Sequence, residues 1–324
     1  MLAVTNMYPT DSDPVYGIFV RTQMESIREL GVDVEVRFVD GRRRAWRYAT
    51  AAAVWAGVAS PARYDLVHAH YGLTGFVALL SRCPLVVSFC GDDLLGTPDG
   101  RGGLTIKSRV VQRLSYVAAR QANAIICKSE GMRLALPDEA ESHRAHVIPN
   151  GVNTRLFRPA GRLAARRALG LNPDERLVLF PNTPSERRKR VDLAEAGVAA
   201  LREMGYGARL WVITGVPPER MPLHYQAADC LLLTSDWEGS PNVVKEALCC
   251  DLPVVSVDVG DVVRWLDQVP GCPVVGRSAE GIAGGLRTAL STGRVDGEPV
   301  RKEVALDVIA KRIVEVYREA ITRG

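Results

Sequence analysis

The stretch "LLLTSDWEGSPNVVKEALCCDLPVVSVD", residues 231–258, contains two short apolar runs separated by a polar loop and a helical segment. We predict a helix over residues 241–250, with Ser240 as its N-cap and Pro241 at the first helical position. Apolar side chains recur at helical spacing on one side of this segment, at Val243, Val244, Ala247 and Leu248. A strand, a helix and a second apolar strand in this order predict one βαβ unit of a parallel sheet.

The same alternation of apolar strands and helical segments runs through the rest of the chain in two series. The predicted strands lie near residues 2–6, 32–39, 65–70, 84–89, 123–129 and 146–150, and then near 176–181, 208–214, 230–235, 253–258 and 272–276. Nearly continuous apolar strands are typical of parallel sheets covered by helices on both faces. We therefore predict an α/β fold of two Rossmann-like, doubly wound parallel-sheet domains that face each other across a cleft.

The length of 324 residues suits two domains. We predict an N-terminal domain over residues 1–158 and a C-terminal domain over residues 159–302. The boundary is expected in the arginine-containing segment 153–175, which also holds two prolines. The last segment, about residues 303–322, has the pattern of a long amphipathic helix, and we expect it to pack back on the N-terminal domain.

Composition excludes several classes of protein. Hydrophobic residues make up 47% of the chain, which supports packed cores and argues against a disordered protein. The net charge of +4 is too small to indicate a nucleic-acid partner. The seven cysteines include no C-x-x-C pair, which argues against a zinc site and favours reduced thiols in a cytoplasmic protein. No apolar run reaches the roughly 18–20 residues that span a bilayer, and no signal-peptide pattern opens the chain.

Two glutamates flank the predicted helix start. Glu238 lies in the loop before it, and Glu246 lies four residues after Asn242 on the same helix face. An acidic residue beside a helix N-terminus stabilises the helix by about 0.3–1 kcal/mol, which accounts for Glu238 but poorly for Glu246. The alternative is a ligand whose phosphate binds the helix N-terminus while both carboxylates accept hydrogen bonds from hydroxyls on either side. A sugar nucleotide has this layout.

The run "TSDWEGSPNVVKEAL" resembles the Glu-x7-Glu signature of the family 4 glycosyltransferases, which share the two-domain GT-B fold. The segments "VTNMYPTDSDPVYGIFVRTQ", "VHAHYGLTG" and "VIPNGVNTRLFRP" resemble the same family, so that the likeness covers essentially the whole chain. Within the family, the chain is most similar to the branch annotated around teichuronic acid biosynthesis. A bare Glu-x7-Glu spacing would be a weak signal, whereas the long run is specific.

The resemblance implies roles for residues of the C-terminal domain. Glu238 would contact the donor sugar and Glu246 would hold the ribose hydroxyls. Lys189, together with Arg187, would neutralise the charge that builds on a departing diphosphate. A solvated basic loop is the alternative for these two cations. The backbone that would lie against the sugar and the diphosphate is that of Gly239, Ser240, Pro241 and Asn242.

In the N-terminal domain, the resemblance places His70 at the donor sugar and Gly17 in a loop that approaches phosphate or acceptor. The alternatives are a histidine that is simply hydrogen-bonded at a strand end and an ordinary glycine at a helix start. Many relatives have His-Gly where this chain has Cys90-Gly91, so the role of that histidine is open here. We expect Asp92 to face the acceptor.

The resemblance implies transfer of a sugar, with retention of configuration, from a nucleotide-diphosphate sugar to a hydroxyl on a glycan or lipid-linked acceptor, in glycolipid or polysaccharide biosynthesis. It implies no metal and no cofactor. Two alternatives stay open: a sugar-nucleotide epimerase on the same fold, and a non-catalytic sugar-nucleotide-binding subunit. The arginines of residues 41–48, with Trp46 and Tyr48, suit peripheral contact with an anionic membrane at its inner face or, equally, a solvated loop.

Overall fold

The computed structural model describes residues 1–41, 46–51, 62–99, 103–183 and 186–323 of the chain. These residues form two compact units. Unit 1 comprises Met1–Gly151 and the segment from Leu306 onward, and unit 2 comprises Val152–Ala305. Each unit is built around a sheet of its own.

Unit 1 contains a six-stranded sheet in which every strand pairing is parallel. Its strands are β1 (Leu2–Thr5), β2 (Glu35–Phe38), β3 (Val67–His70), β4 (Leu85–Ser88), β5 (Ala124–Cys127) and β6 (Ala145–Val147). Their order in the sheet is β2-β1-β3-β4-β5-β6. The chain therefore changes direction across the sheet between β1 and β3, and ligands of open parallel sheets bind at such a switch point, beyond the carboxyl ends of the strands.

Unit 2 contains a five-stranded parallel sheet. Its strands are β7 (Leu177–Pro181), β8 (Arg209–Ile213), β9 (Cys230–Leu233), β10 (Val254–Val257) and β11 (Val274–Val275). The order β11-β10-β9-β7-β8 puts the switch point of this sheet between β7 and β9. The loops after these two strands are thus the ones that the topology favours for a ligand.

Helices cover both faces of each sheet. In unit 1 they span Ile18–Arg28, Gly72–Ala78, Asp92–Leu95, Ile106–Gln121, Glu130–Leu134, Glu139–His143 and Leu306–Arg323. In unit 2 they span Arg162–Ala168, Val191–Glu203, Met221–Ala227, Asn242–Cys249, Val262–Leu266, Ala279–Thr292 and Glu298–Val304, with single 3-10 turns at Arg187–Lys189 and Pro218–Arg220. Two apolar clusters in each unit hold these layers together, as expected for strands that are buried on both sides.

The helix Leu306–Arg323 belongs to unit 1 although it follows the whole of unit 2 in sequence. Its apolar face packs with the helix Ile18–Arg28 in one buried cluster, and the hydroxyl of Tyr317 lies 2.6 Å from Nδ1 of His68 in β3. Burial of this amphipathic face against the sheet is what stabilises the helix there.

The predicted fold class is confirmed: all eleven predicted strands form, and they make two parallel α/β sheets. The first boundary between units lies at residue 151 rather than 158. The reason is that the Val152 amide donates to the Val304 carbonyl and Phe157 is buried in a unit 2 cluster, so this segment already packs with unit 2. None of the described helices combines the length and the hydropathy needed to span a lipid bilayer.

Candidate active site

The loop of residues 234–241 joins β9 to the helix Asn242–Cys249 in unit 2. The predicted cap of this helix is wrong, because the N-cap residue is Pro241, with φ −67° and ψ 116°, and not Ser240. The Ser240 hydroxyl instead donates to Asp261 Oδ2 and accepts from Lys245 Nζ, both at 2.8 Å. Asp261 and Lys245 thus bind the Ser240 hydroxyl that a capping hydrogen bond would use.

Lys245 is fully buried behind this loop, on the same helix. Its ammonium lies 5.8 Å from the centre of the Trp265 ring in addition to its hydrogen bond with Ser240. On the other side of the loop, a Cβ at Gly260 would lie 3.0 Å from the Gly239 carbonyl oxygen, so the backbone packs closely there. The loop is therefore supported from two sides by groups that the sequence pattern did not single out.

Glu238 and Lys189, for which the sequence resemblance implies separate roles, are brought together from the loops after β9 and β7 at the switch point of the sheet. The Lys189 ammonium donates to Glu238 Oε1 at 2.8 Å, and Arg188 Nη1 lies 2.5 Å from the same oxygen. Ser235 Oγ also donates to Oε1, at 2.9 Å. The two loops are tied further by the Thr234 hydroxyl, which donates to the Lys189 carbonyl. The result is a compact cluster in which two cations contact one largely buried carboxylate.

The environment of Glu238 keeps its carboxylate ionised. Burial alone would raise the pKa of Glu238, but the charges of Lys189 and Arg188 and their hydrogen bonds more than offset burial and lower the pKa below its ordinary value. The side chain of Glu238 is 11% exposed and that of Lys189 is 13% exposed, so solvent screens the pair little.

Arg187, the arginine predicted for this site, is exposed on the 3-10 turn. Its neighbour Arg188 lies beside Glu238 instead, with its guanidinium 4.9 Å from the centre of the Trp237 ring. Arg188 also donates to the Trp237 carbonyl and to Glu186. The geometry therefore favours Arg188 over Arg187 as the second cation of the site.

Glu246 lies on the helix Asn242–Cys249 and has a different environment. The hydroxyl of buried Tyr225 donates to its Oε2 at 2.8 Å. Burial raises the pKa of Glu246, while the Tyr225 hydrogen bond and the Lys245 charge oppose the rise. Asn242 is the first residue of the helix, one turn earlier, and is half-buried. The two predicted carboxylates thus differ in charge environment, one paired with cations and the other with a phenol.

In unit 1, His70 ends β3 and is fully buried. Neither of its ring nitrogens has a hydrogen-bond partner among the residues that the structure describes. Its ring centre lies 4.1 Å from that of His68, whose own nitrogens contact Tyr317 and Ser88. Burial, with the charges of His68 and Lys128 as smaller causes, lowers the pKa of His70 well below 6.5. The imidazole is therefore neutral at neutral pH, with one nitrogen able to donate and the other to accept.

Lys128 follows β5 at the same edge of this sheet and is 1% exposed. Within the described part of the chain, its ammonium has no hydrogen-bond partner. Burial lowers the pKa of Lys128 despite the opposing influence of Cys90, Cys127 and Asp93. Burial of this charged side chain was not visible in the sequence.

Gly17 caps the helix Ile18–Arg28 with a positive φ of 74°. A Cβ at this position would lie 2.2 Å from the Met7 carbonyl carbon and 2.4 Å from the Tyr8 nitrogen. Only glycine fits such a close approach of two backbone segments. The structure therefore gives a packing reason for this glycine that involves no ligand.

Asp92 and Asp93 begin the short helix after β4. Asp93 is fully buried, and its carboxylate accepts hydrogen bonds from the amides of Gly72, Cys90 and Gly91 at 2.8–3.2 Å. It thereby ties the loop after β3 to the loop after β4. Burial, with the Asp92 charge as a smaller cause, raises the pKa of Asp93 to about 7.

The loops that Asp93 joins also carry Asp92 and Tyr71. The Tyr71 hydroxyl donates to Asp92 Oδ2 at 3.4 Å, so that the predicted acceptor-facing carboxylate already has an aromatic neighbour. Burial raises the pKa of the Cys90 thiol well above its ordinary value, which leaves it a poor nucleophile at neutral pH.

Two further predictions concern metals and membranes. Among the described residues there is no group of three or more histidines, cysteines or acidic residues that could hold a metal ion. Of the basic stretch predicted to contact a membrane, residues 42–45 lie outside the described residues, and Trp46 next to them is 58% exposed.

Two Rossmann-like parallel-sheet units with polar clusters at their switch points define the GT-B class of fold. The model of the family "Glycosyltransferase Family 4" matches residues 11–156, and the model of "Glycosyl transferases group 1" matches residues 175–292. The chain therefore belongs to the family 4 glycosyltransferases. The resemblance to its teichuronic acid branch stays a prediction.

Curated relatives are similar to the chain over part of their own length. The D-inositol 3-phosphate glycosyltransferase of Geodermatophilus obscurus is 29% identical over 277 residues, which are 71% of this chain and 60% of that protein. The protein of the same name from Acidothermus cellulolyticus is 28% identical over 315 residues, 81% of this chain and 68% of that one. The chain thus spans less than two thirds of the length of the Geodermatophilus relative.

Solved structures share the fold over nearly the whole chain. Sucrose-phosphate synthase from Thermosynechococcus elongatus superimposes with a TM-score of 0.79 at 18% identity, covering 100% of this chain and 99% of that one. HepE from Anabaena, in complex with UDP-glucose, superimposes with a TM-score of 0.68 at 15% identity, covering 97% and 98%. At these identities the likeness establishes the fold.

Proposed function

We propose that this protein is a glycosyltransferase that moves a sugar from a nucleotide-diphosphate sugar to a hydroxyl group of an acceptor. The observation that carries the proposal is the convergence of Lys189 and Arg188 on Glu238 at the switch point of the unit 2 sheet, beside the start of the helix Asn242–Cys249. Membership of the family supports the reaction class. The UDP-glucose bound by HepE, a protein of the same fold, supports the donor class.

The donor diphosphate lies against the start of the helix Asn242–Cys249 in this proposal. Backbone amides of Gly239, Ser240 and Asn242 donate to its oxygens, whereas Pro241 has no N–H to contribute. Glu246 accepts hydrogen bonds from the ribose hydroxyls, with Tyr225 orienting the carboxylate. The fully buried charge of Lys245 behind the loop favours an anion on its front side.

Glu238 accepts a hydrogen bond from a hydroxyl of the donor sugar. As the bond between the anomeric carbon and the diphosphate breaks, negative charge builds on the leaving group and the sugar becomes oxocarbenium-like. Lys189 and Arg188 neutralise the leaving charge. Both cations are paired with Glu238 in the structure, but an ammonium has three N–H groups and a guanidinium five, so each can contact carboxylate and diphosphate together.

The acceptor belongs to unit 1 in this proposal. Asp92 and the neutral ring of His70 supply hydrogen-bond partners for hydroxyl groups there, and the loop of Gly17 approaches the acceptor or the phosphate. We further propose retention of configuration, a role in glycolipid or polysaccharide biosynthesis, and peripheral contact with an anionic membrane. The first two points rest on the resemblance to the family, and the membrane contact rests on the basic and aromatic residues within 41–48.

The proposal is tested by thermal unfolding with a panel of UDP, GDP and ADP sugars, followed by assay of nucleoside diphosphate release. A true donor at 100 times its Kd stabilises the protein by about 2.7 kcal/mol. Glu246→Gln is expected to weaken donor binding at least tenfold, and Lys189→Met to lower kcat by about 10²–10³. Lys302→Met, in an exposed pair with Glu298, is the matched control and leaves both unchanged.

The products separate the alternatives. Release of nucleoside diphosphate with a glycosylated acceptor supports the proposal. An isomerised sugar nucleotide without release would establish an epimerase instead. Donor binding with neither product, in the presence of membrane extract as the source of acceptors, would establish a binding subunit.

A further inference from the structure

Unit 1 contains a cavity of about 1390 Å³ between the helices Gly72–Ala78 and Ile106–Gln121. Its walls are mostly apolar and include Leu73, Phe76 and Leu80 on one side and Val110, Leu114 and Val117 on the other. Cavities that bind small molecules are typically about 300–1,000 Å³ and apolar, with a few convergent polar groups. This cavity is large enough for an extended ligand.

Several side chains of the wall are exposed although they are large and apolar. Phe76 is 38% exposed, Leu80 is 51% exposed and Val110 is 51% exposed. Contiguous apolar side chains of this size on a surface mark a place where another apolar group binds. The two helices thus present an apolar path that a ligand would cover.

One end of the cavity is polar and is formed by Asn6, Tyr71 and Asp92. Asn6 follows β1 and Tyr71 follows β3, so this end lies at the switch point of the unit 1 sheet. Asn6 is 6% exposed, and its Oδ1 has no hydrogen-bond partner among the described residues, while its Nδ2 donates to the Tyr48 hydroxyl at 2.9 Å. A buried amide oxygen without a partner indicates a ligand that donates to it.

We propose that this cavity binds the hydrocarbon chain of an amphiphilic acceptor, with the hydroxylated head of that acceptor at Asn6 and Asp92. The inference rests on the proposed function, which it deepens by naming the acceptor class. Both polar groups accept hydrogen bonds, which matches hydroxyl groups. A glycan along the helices is disfavoured, because its hydroxyls would be left unpaired against Leu80, Val110 and Leu114. The acceptor is therefore a lipid or lipid-linked alcohol.

The probes for this proposal are methyl, octyl and decyl β-glucosides, each used below its critical micelle concentration, with binding measured by calorimetry. Each fully buried CH₂ raises affinity about fourfold. Because the walls are partly open to solvent, we expect about two- to fourfold per CH₂. Decyl glucoside should therefore bind about 4- to 16-fold more tightly than octyl glucoside, and methyl glucoside far more weakly than either.

Two charged variants test the walls of the cavity. Val110→Glu and Leu80→Glu place a carboxylate on opposite walls at half-exposed positions, and each should weaken decyl glucoside at least tenfold. Ile106→Glu is the matched control, because Ile106 is 82% exposed, lies one turn from Val110 on the same helix and is not part of the wall. Circular dichroism and binding of UDP, whose proposed site is in unit 2, verify that each variant is folded.

Equal affinity for the three glucosides would overturn the proposal, as would binding only above the micelle concentration or equal weakening by Ile106→Glu. Failure of the proposed function looks different. In that case no sugar nucleotide binds or is turned over, while the dependence on chain length and its loss in Val110→Glu persist. If nucleoside diphosphate is released but the affinity for the glucosides does not depend on alkyl chain length, only the proposal of a lipid acceptor is refuted.

Discussion

Lys189→Met tests the charge cluster on which the donor site depends. In the structure, Lys189 Nζ lies 2.8 Å from Glu238 Oε1, and both side chains are nearly buried. A hydrogen bond between charged groups contributes about 1.5–3 kcal/mol, and loss of the partner of an isolated buried charge costs about 3–5 kcal/mol. Arg188 stays at 2.5 Å from the same oxygen in the variant. We therefore expect the free energy of unfolding to fall by about 1–2 kcal/mol at pH 7.

The effect should depend on pH with a definite sign. Glu238 has a pKa below 4.5 in the folded protein, so its pairing contributes stability above the unfolded-state pKa and loses it as pH falls through the lower folded-state value. Removal of the Lys189 charge lets the pKa of Glu238 move back toward its ordinary value. The difference in stability between wild type and Lys189→Met is therefore largest near neutral pH and shrinks below about pH 4.5.

The assay is urea unfolding of wild type, Lys189→Met, Glu238→Gln and the double variant, followed by tryptophan fluorescence at pH 7 and pH 4. The coupling energy between the two sites should be about 1–2 kcal/mol at pH 7 and smaller at pH 4. Lys302→Met, in the exposed pair with Glu298, should leave the midpoint unchanged. A coupling below about 0.5 kcal/mol at pH 7, or one that does not change with pH, would show that Lys189 does not stabilise the Glu238 carboxylate.

Three further predictions concern unit 1. Gly17→Ala should lower the free energy of unfolding by about 3 kcal/mol or more, because a Cβ at φ 74° would lie 2.2 Å from backbone. The control is Gly170→Ala in unit 2, at φ 65° with open space around it, which should lower the free energy of unfolding by only about 1 kcal/mol. Urea midpoints measure both effects. Tyr317→Phe removes the hydroxyl that lies 2.6 Å from buried Nδ1 of His68, so the free energy of unfolding should fall by about 1–3 kcal/mol. Hydrogen exchange of the helix Leu306–Arg323 should become faster in this variant. Asp93 has a folded-state pKa raised from 3.8 to about 7, so its contribution to stability falls as pH rises through that window, and Asp93→Asn should flatten the dependence of the urea midpoint on pH between about 4 and 7.

The strands could be predicted from the sequence because a parallel sheet buried on both faces requires continuous apolar runs. An apolar run alone does not predict the residue at which the strand ends. β9 stops at Leu233 although residues 234 and 235 were predicted to continue it. The Thr234 hydroxyl donates to the carbonyls of Lys189 and Arg190, and this contact draws the chain toward the neighbouring loop. Strand ends here depend on tertiary contacts of polar side chains.

The site was predicted in part. The sequence placed Glu238 and Lys189 in loops that follow neighbouring strands, but their direct ion pair is visible only in the structure. The choice between Arg187 and Arg188 does not follow, because neighbouring residues on a 3-10 turn point in different directions and the path of the turn decides which faces inward. Ser240 has the residue type of an N-cap, but Asp261 and Lys245, remote from the pattern that defines a cap, use its hydroxyl.

Buried charges were the least visible feature in the sequence. Lys128 and Lys245 each have at most 1% of their surface exposed. Lysine is almost never fully buried without a partner, so residue type alone predicts an exposed side chain. Both lysines lie behind or beside loops at the carboxyl edges of the sheets, where the structure, rather than the spacing of residues, reveals them.

The donor site in unit 2 can be observed in a crystal structure of the protein with UDP, or with the sugar nucleotide that stabilises the protein best. We expect the diphosphate on the amides of Gly239, Ser240 and Asn242, the ribose hydroxyls on Glu246, and Lys189 within hydrogen-bond distance of the phosphate nearest the sugar. A nucleotide bound in unit 1, or one in unit 2 with Glu246 still bonded only to Tyr225 and the diphosphate away from the helix start, would contradict the proposed donor site.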